Sequence, residues 1–485
     1  MRPDRRKFIR DSLCAALGGA SVYSVLGQMQ LARAASSLNA NFSGGYKALV
    51  CVFLYGGNDS LNMIIPSSGT KQTNYVNLRP NLAITTGLQP LTAMPASGAG
   101  STGDGASYGM HPAMQGMADL FNANKAAIVT NVGPLVGPVS QSSVLNNNAI
   151  LPPQLTSHSD QQAYWQSSPP TNQPATGWGG KLADLVAAAN PGNNVPVLTS
   201  MGGLDAFLRG TNVTGYVMNS YGPATVQFPS VASSVISAPF NALNGTGQAN
   251  ALERAYAATI QHSMSTASLI QNTLNNATIP NFDTNFTGAG DLGTQLQTVA
   301  SLIWAANNSI ATYPSPNRQI FFVSIDDFDT HGDQLVRQTA TLGYVSKALK
   351  GFYDSLNNPG SGPSLANRVT AFTVSDFGRS LSNNEDGTDH GWGGHHLVVG
   401  GAVNGGKFYG DSYAQDGNAV MPSLLIGPGA NPNDNGSSQL IPTTSADQYT
   451  ATMLRWFGLS DSDVDLILPN ASLFNHKYLD FLPVS

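Results

Sequence analysis

The sequence predicts an α/β fold, a three-layer sandwich around a mostly parallel central sheet. Four short runs rich in β-branched and aromatic residues are apolar without alternation, the pattern of strands covered on both faces. Segments with helical apolar spacing lie between most of them, so the order is strand and helix repeated. Each run breaks at its carboxyl end into glycine or aspartate.

The first run, KALVCVFLY at 47–55, breaks into Gly56-Gly57-Asn58-Asp59. A helix is expected over 111–124 after His111-Pro112, and the second run, AAIVTNV at 126–132, ends in Gly133-Pro134. Helical segments at 178–190, 250–275 and 291–308 precede the third run, QIFFVSI at 319–325, which is followed by Asp326-Asp327-Phe328-Asp329. A helix over 333–356 leads to RVTAFTVS at 368–375, followed by Asp376-Phe377-Gly378-Arg379, and a last helix covers 445–458. Stretches rich in Gly, Ser, Asn and Pro at 96–109, 135–156, 210–249, 358–366 and 411–440 read as surface loops or insertions, with 210–249 a candidate small cap.

Asp4-Arg5-Arg6-Lys7-Phe8-Ile9-Arg10, a mildly apolar stretch and Ala32-Arg33-Ala34 read as a twin-arginine export signal over residues 1–34. The stretch from Asp11 to Leu31 contains Gly18, Gly19, Gly27 and Gln28 and is too short and polar for a membrane span. The expected domain is therefore 35–485, carried across a membrane by the twin-arginine translocase to a periplasmic or secreted location, with no span in the mature chain. Cys14 leaves with the signal, so Cys51 has no disulfide partner and stability rests on the core. Charged residues make up 10% of the chain, against a usual ~25%. A formal charge of -6 without a basic stripe argues against nucleic acid as a partner.

In open α/β sheets, ligands collect in the crevice outside the carboxyl ends of the strands. Three of the four runs deliver an aspartate there. Asp59 lies in GGNDS, a motif equally suited to a plain turn with Asp59 or Ser60 capping a helix begun by Leu61-Asn62. Asp326-Asp327-Phe328-Asp329-Thr330-His331 gathers carboxylates and an imidazole, a set suited to zinc, manganese or a similar divalent ion, with a solvated acidic turn as the bland reading. Asp376 and Arg379 repeat the pattern; Arg379 either grips an oxyanion or pairs with a neighbouring carboxylate. DHGWGGHHLVVGG at 389–401 holds three of the eight histidines, His390, His395 and His396, without the i, i+4 spacing of a helical zinc motif. Ser157-His158-Ser159-Asp160 offers a hydroxyl at a helix N-terminus, where the dipole favours an attacking alkoxide, or else a simple cap with a surface histidine. His111 reads equally as a core or helix-entry residue.

LYGGNDSLNMIIP (54–66), HPAM (111–114), SHSDQQAYW (157–165), GWGGKLAD (177–184), DTHGDQ (329–334), SDFGRS (375–380), DHGWGGHHLVVGGAVNGGKFYG (389–410) and TTSADQYTATMLRWFGL (443–459) span nearly all of the mature chain. Through them the sequence resembles the alkaline phosphatase and sulfatase superfamily, and within it a family of twin-arginine-exported bacterial proteins of unknown function. The resemblance implies an alkaline-phosphatase-like fold and a hydrolase or transferase of phosphate or sulfate esters. One or two divalent ions (zinc, manganese, calcium or magnesium) would serve it. Carried over by order, Asp59 binds one metal, Ser157 attacks, Asp329 and His331 serve the other metal, Asp376 and His390 complete the set, and Arg379 orients the anion. Asp327 stands second to Asp329, and His395 and His396 stand as rivals to His390. The chain departs from the superfamily in having Asp376-Phe377 where an Asp-His pair is frequent, and in lacking a Cys/Ser-x-Pro-x-Arg sequence, which counts against a formylglycine sulfatase.

Two other classes compete. A non-catalytic exported protein would keep the fold and bind a glycan or a protein partner in the crevice. An oxidoreductase is disfavoured, because the chain has no cysteine cluster and GGNDSLN lacks the third glycine of a dinucleotide fingerprint. The expected partner is an anionic ester, with carbohydrate-linked esters among the candidates.

Overall fold

The structure, a computed structural model, describes residues 45–484 apart from 172, 188–189, 191–194, 204, 214, 225–232, 246, 248–249, 309, 311–312 and 413–418. The segment read as an export signal, 1–34, lies outside the described residues, as does part of the 210–249 stretch. No helix among the described residues is long and apolar enough to cross a membrane.

A nine-stranded sheet forms the middle layer. Its strands are β1 (Lys47–Leu54), β2 (Ala126–Gly133), β3 (Leu198–Ser200), β4 (Tyr216–Val217), β5 (Arg318–Ile325), β6 (Val369–Ser375), β7 (Gly394–Gly400), β8 (Phe408–Tyr409) and β9 (Thr444–Ser445). They lie in the order β8-β2-β7-β6-β1-β5-β3-β4, with β9 beside β2. Every pairing is parallel except those of β7, which runs antiparallel to β2 and β6. The fold class read from the sequence is the observed one: α/β, with a mostly parallel sheet between two helical layers.

The continuous apolar runs have the expected cause. Along β1, Ala48, Val50, Val52 and Leu54 enter one core while Leu49, Cys51 and Phe53 enter the other, so both faces are covered. Burying each large apolar side chain contributes about 1.5–3 kcal/mol, which rewards apolar residues at every position rather than alternate ones. The helices Gly290–Asn307 and Gln334–Asn357 pack on the first face, and Trp178–Val186 and Ala446–Phe457 on the second.

Element boundaries shift where local chemistry intervenes. His111 caps a short 3-10 turn, Pro112–Met114, with its Nδ1 accepting from the amide of Ala113, and the α-helix begins only at Gln115. The 210–249 stretch contains β4 and a helix, Ser233–Leu243. GHHLVVG at 394–400, read from the sequence as part of a loop and apolar run, is strand β7 in the middle of the sheet.

Register sets the height of the crevice floor. Leu54 lies level with Ile325 of β5 on one side and with Ser375 of β6 on the other, so three loops leave the sheet edge together. After β6 the chain forms a hairpin, Arg379–Asn383 with Thr388–His390, that places His390 opposite Arg379.

Candidate metal centre

The loop after β1 makes room rather than supplying ligands. Gly56 and Gly57 have φ of +114° and +88°. A Cβ on Gly56 would stand 2.3 Å from the amide nitrogen of Asp329, and one on Gly57 would stand 2.4 Å from the Phe377 ring. Only glycine meets both the positive φ and the close approach. The β5 and β6 loops thereby close on each other across residue 56.

Two further segments, and His331 from its own loop, then converge on Asp329. His158 opens the helix His158–Gln166, with its Nε2 3.5 Å from Asp329 Oδ2. Across the hairpin, His390 Nε2 lies 3.3 Å from Asp329 Oδ1. His331 Nε2 is 3.2 Å from that same oxygen and 2.8 Å from His390 Nε2. His158, Asp329 and His390 can each offer one ligand atom with all three within 4.8 Å of one another, and His331 adds a further nitrogen on the His390 side. Phe377 packs under two of the imidazoles, 4.9 Å from the His158 ring and 4.5 Å from that of His390.

Each imidazole turns its other nitrogen toward an acceptor. His158 Nδ1 donates to Asp376 Oδ2 at 2.7 Å, His390 Nδ1 donates to the carbonyl of Thr156 at 2.7 Å, and His331 Nδ1 lies 3.4 Å from Asp389 Oδ1. With the proton held there, the Nε2 lone pairs face Asp329, the arrangement that metal-binding histidines adopt. Ligand atoms about 2.0–2.2 Å from a tetrahedral zinc sit roughly 3.3–3.6 Å apart. The separations around Asp329 run from 3.2 to 3.5 Å. Two imidazoles, His158 and His390, and the Asp329 carboxylate therefore fit a zinc-like divalent ion in both chemistry and spacing, while His331 Nε2, 2.8 Å from His390 Nε2, stands closer than two ligands of one such ion.

The charges are tuned by their surroundings. Burial alone would raise the Asp329 carboxyl, but the hydrogen bond and charge of Arg379, with His331 and His158, hold it below its ordinary value. The hydrogen bond to Asp376 raises His158, outweighing its partial burial. Burial, with the charges of Arg379 and His158, pushes His390 down and favours the neutral imidazole that a metal needs.

The other residues expected from the sequence take different places. Asp376 is fully buried and serves the centre from behind: Oδ1 accepts from the amide of Gly56 at 3.2 Å, and Oδ2 accepts from His158 and from Gln162 Nε2 at 3.0 Å. The Arg379 guanidinium is turned inward, with Nη1 donating to Asp329 Oδ1 at 2.8 Å and to Gly56 O at 3.3 Å, and Nε and Nη2 donating to Thr388. It therefore orients a carboxylate of the protein rather than lying open to a ligand. Asp59 is also fully buried, paired with the equally buried Arg79 and held by Gln334, while its Oδ1 accepts from the amide of Leu61. A carboxylate neutralised in this way answers to a buried arginine and leaves no oxygen directed at the cluster. His395 lies inside β7, its Nδ1 accepting from the amide of Asn131, and His396 packs between Trp165 and Tyr449. The sheet buries both away from the ligand group. Asp327 pairs with Arg337. Ser157 stands at the N-cap position of the helix without a side-chain capping bond, between Thr156, which binds His390, and His158; its Oγ lies 3.3 Å from Ser159 Oγ.

His158 is a candidate ligand that the sequence leaves open to reading as a surface histidine beside a helix cap. A signal for it was present: His158, Gln162 and Trp165 share one helix face at i, i+4 and i+7. All three reach the same residue, since the Trp165 indole donates to the Asp376 carbonyl at 3.2 Å.

Fold and site together define an α/β protein with an aspartate and histidine cluster at the carboxyl edge of a parallel sheet. The chain belongs to the family described as "Protein of unknown function (DUF1501)", whose pattern matches residues 46–425. Comparison with curated proteins finds no match. Among solved structures it is similar to the C-terminal periplasmic domain of EcEptC from Escherichia coli, in a complex with Zn. The identity there is 9%, covering 88% of each chain, with a TM-score of 0.32. It is also similar to Ps i-CgsB in complex with k-i-k-neocarrahexaose, at 10% identity over 87% of this chain and 74% of that one, with a TM-score of 0.28. The PsFucS1 sulfatase from Pseudoalteromonas sp. gives 10%, 85%, 77% and 0.28 for the same quantities. Likeness of this degree leaves the activity to be read from the chain's own site.

Proposed function

We propose that the protein is an exported, metal-dependent hydrolase or transferase of phosphate or sulfate esters, acting in the periplasm or outside the cell after twin-arginine export. The observation that carries the reading is the convergence of Asp329, His158, His331 and His390, each imidazole backed by its own acceptor, at an edge open enough to leave 43% of the Asp329 side chain exposed. His158, Asp329 and His390 would hold one divalent ion, with His331 beside them and zinc favoured by the nitrogen-rich set. When bound, the ion supplies a Lewis acid that stabilises charge developing on an ester oxygen.

The chain's own groups divide the remaining work. Arg379 fixes the Asp329 carboxylate, Asp376 fixes the tautomer and tilt of His158, and Thr156 does the same for His390. Ser157, at the N-terminus of the helix beside His158, is the candidate nucleophile; the helix dipole favours the alkoxide it would become. The test is elemental analysis of protein purified without chelators, followed by a panel of phosphate and sulfate esters. Metal near one equivalent, lost in Asp329→Ala and His158→Ala, with turnover abolished in Ser157→Ala, is the expected result. Protein that binds no divalent ion ends the proposal.

One observation favours a second reading, a non-catalytic binding protein: the arginine expected to grip an anion is engaged by Asp329 and Thr388. Metal-loaded protein that binds esters or glycans without turning any of them over would select it.

A further inference from the structure

Along the helix His158–Gln166 lies a cleft of about 400 Å³ lined by Ser159, Gln162, Gln166, Asp205 and Arg209 among others. It is joined to the centre through Gln162, which lines the cleft and donates to the same Asp376 oxygen that holds His158. We infer that this cleft is a subsite for the hydroxyl-rich, sugar-like part of the ester whose anionic end meets the metal centre; the inference rests on the ester-transfer reading above.

Four residues that line the cleft each keep a polar atom that no bond among the described residues engages. Gln162 gives its Nε2 to Asp376, so its Oε1 remains as an acceptor. Gln166 is buried and uses its Oε1 to accept from the amide of Phe207 at 2.8 Å, which fixes the amide and leaves its NH2 as a donor pair. Asp205 accepts from the Tyr55 hydroxyl through Oδ2 at 2.5 Å, leaving Oδ1. Arg209 is exposed at the rim, with no ion pair among the described residues. Two amides held in fixed orientations, a carboxylate oxygen and a guanidinium thus surround one small space. Each vicinal hydroxyl pair of a sugar needs one of each, and a site built to hydrogen-bond hydroxyls rejects analogues that lack them. An apolar leaving group would strand all four groups without partners, which is costly.

The test compares glucose 6-phosphate and glucose 6-sulfate with ethyl phosphate and ethyl sulfate, using the metal-loaded wild type, Arg209→Ala and Asp205→Asn. The expected result is that the wild type prefers the hexose ester of whichever anion it cleaves. In each variant the ratio of kcat/KM for hexose over ethyl ester should fall at least tenfold, mainly through KM. A ratio that stays constant overturns the subsite. If the wild type cleaves none of the four, the ester-transfer reading is what has failed. Titration calorimetry then decides the cleft alone: glucose 6-phosphate bound by the wild type and at least tenfold more weakly by Arg209→Ala supports it, and no binding overturns it.

Discussion

Asp376 offers its carboxylate to Gly56, His158 and Gln162, and its carbonyl to Trp165, while touching no solvent. Its role is to accept, so Asp376→Asn, nearly identical in shape, places an amide where donors already point. Loss of such an acceptor behind a metal-binding histidine costs roughly 10–100-fold in affinity. Chelator competition on the folded variant is expected to show a weakening in that range; an unchanged affinity would remove Asp376 from the role. The buried histidines predict a pH response. Burial lowers His111 and His395 to about 4 and His396 to about 3, from an ordinary 6.5. These rings stay neutral in the fold, whereas the unfolded chain takes up their protons below about 6.5. Stability contributed by their neutrality is therefore complete above that pH and is lost as pH falls toward 4. In His396→Phe, which also removes a buried ring nitrogen without a partner, the drop in Tm between pH 7 and pH 5 should be smaller than in the wild type. An equal drop in both proteins would show that His396 contributes nothing to it.

At the scale of elements, what holds the centre is a buried relay from the β1 loop to the hairpin. Arg379 Nε donates to Thr388 Oγ1 at 3.2 Å, Thr388 Oγ1 donates to Gln334 Oε1 at 2.6 Å, and Gln334 Nε2 donates to Asp59. Because a carboxylate only accepts, Asp59 sets the direction of every bond in the chain. It therefore ties the helix Gln334–Asn357 and the hairpin to the loop after β1. Asp59→Asn weakens the partner of a buried Arg79, and an uncompensated buried charge costs about 3–5 kcal/mol. Urea unfolding should show a loss of that order with metal content retained; metal lost while stability holds would mean that Asp59 is a ligand after all. The GGNDS motif suited a plain turn as well as a site, and did not say whether its aspartate faced a cation from solution or an arginine from the chain. Arg79 is 20 residues downstream, in a segment with no motif to mark it.

At the scale of the molecule, three loops level at one sheet edge and a fourth segment from the helix His158–Gln166 bring distant residues together, so a bound ion would cross-link them. An ion that binds only the native state adds about 2.7 kcal/mol of stability at a hundredfold excess over its Kd. Added zinc should raise Tm of chelator-treated protein, and should not raise that of Asp329→Ala. Equal shifts in the two proteins would place the binding elsewhere. The sequence by itself determined the class of fold, because strands covered on both faces must be apolar throughout. It also determined that Asp329, His331, Asp376 and Arg379 end at the edge where ligands collect, because each closely follows such a strand. The tertiary structure decided which of them face one another. Whether a histidine near that edge is a ligand depends on the face and register that other segments impose. His395 and His396 are absorbed into a strand, His390 is aimed by the Thr156 carbonyl, and His158 is turned by a carboxylate 218 residues away.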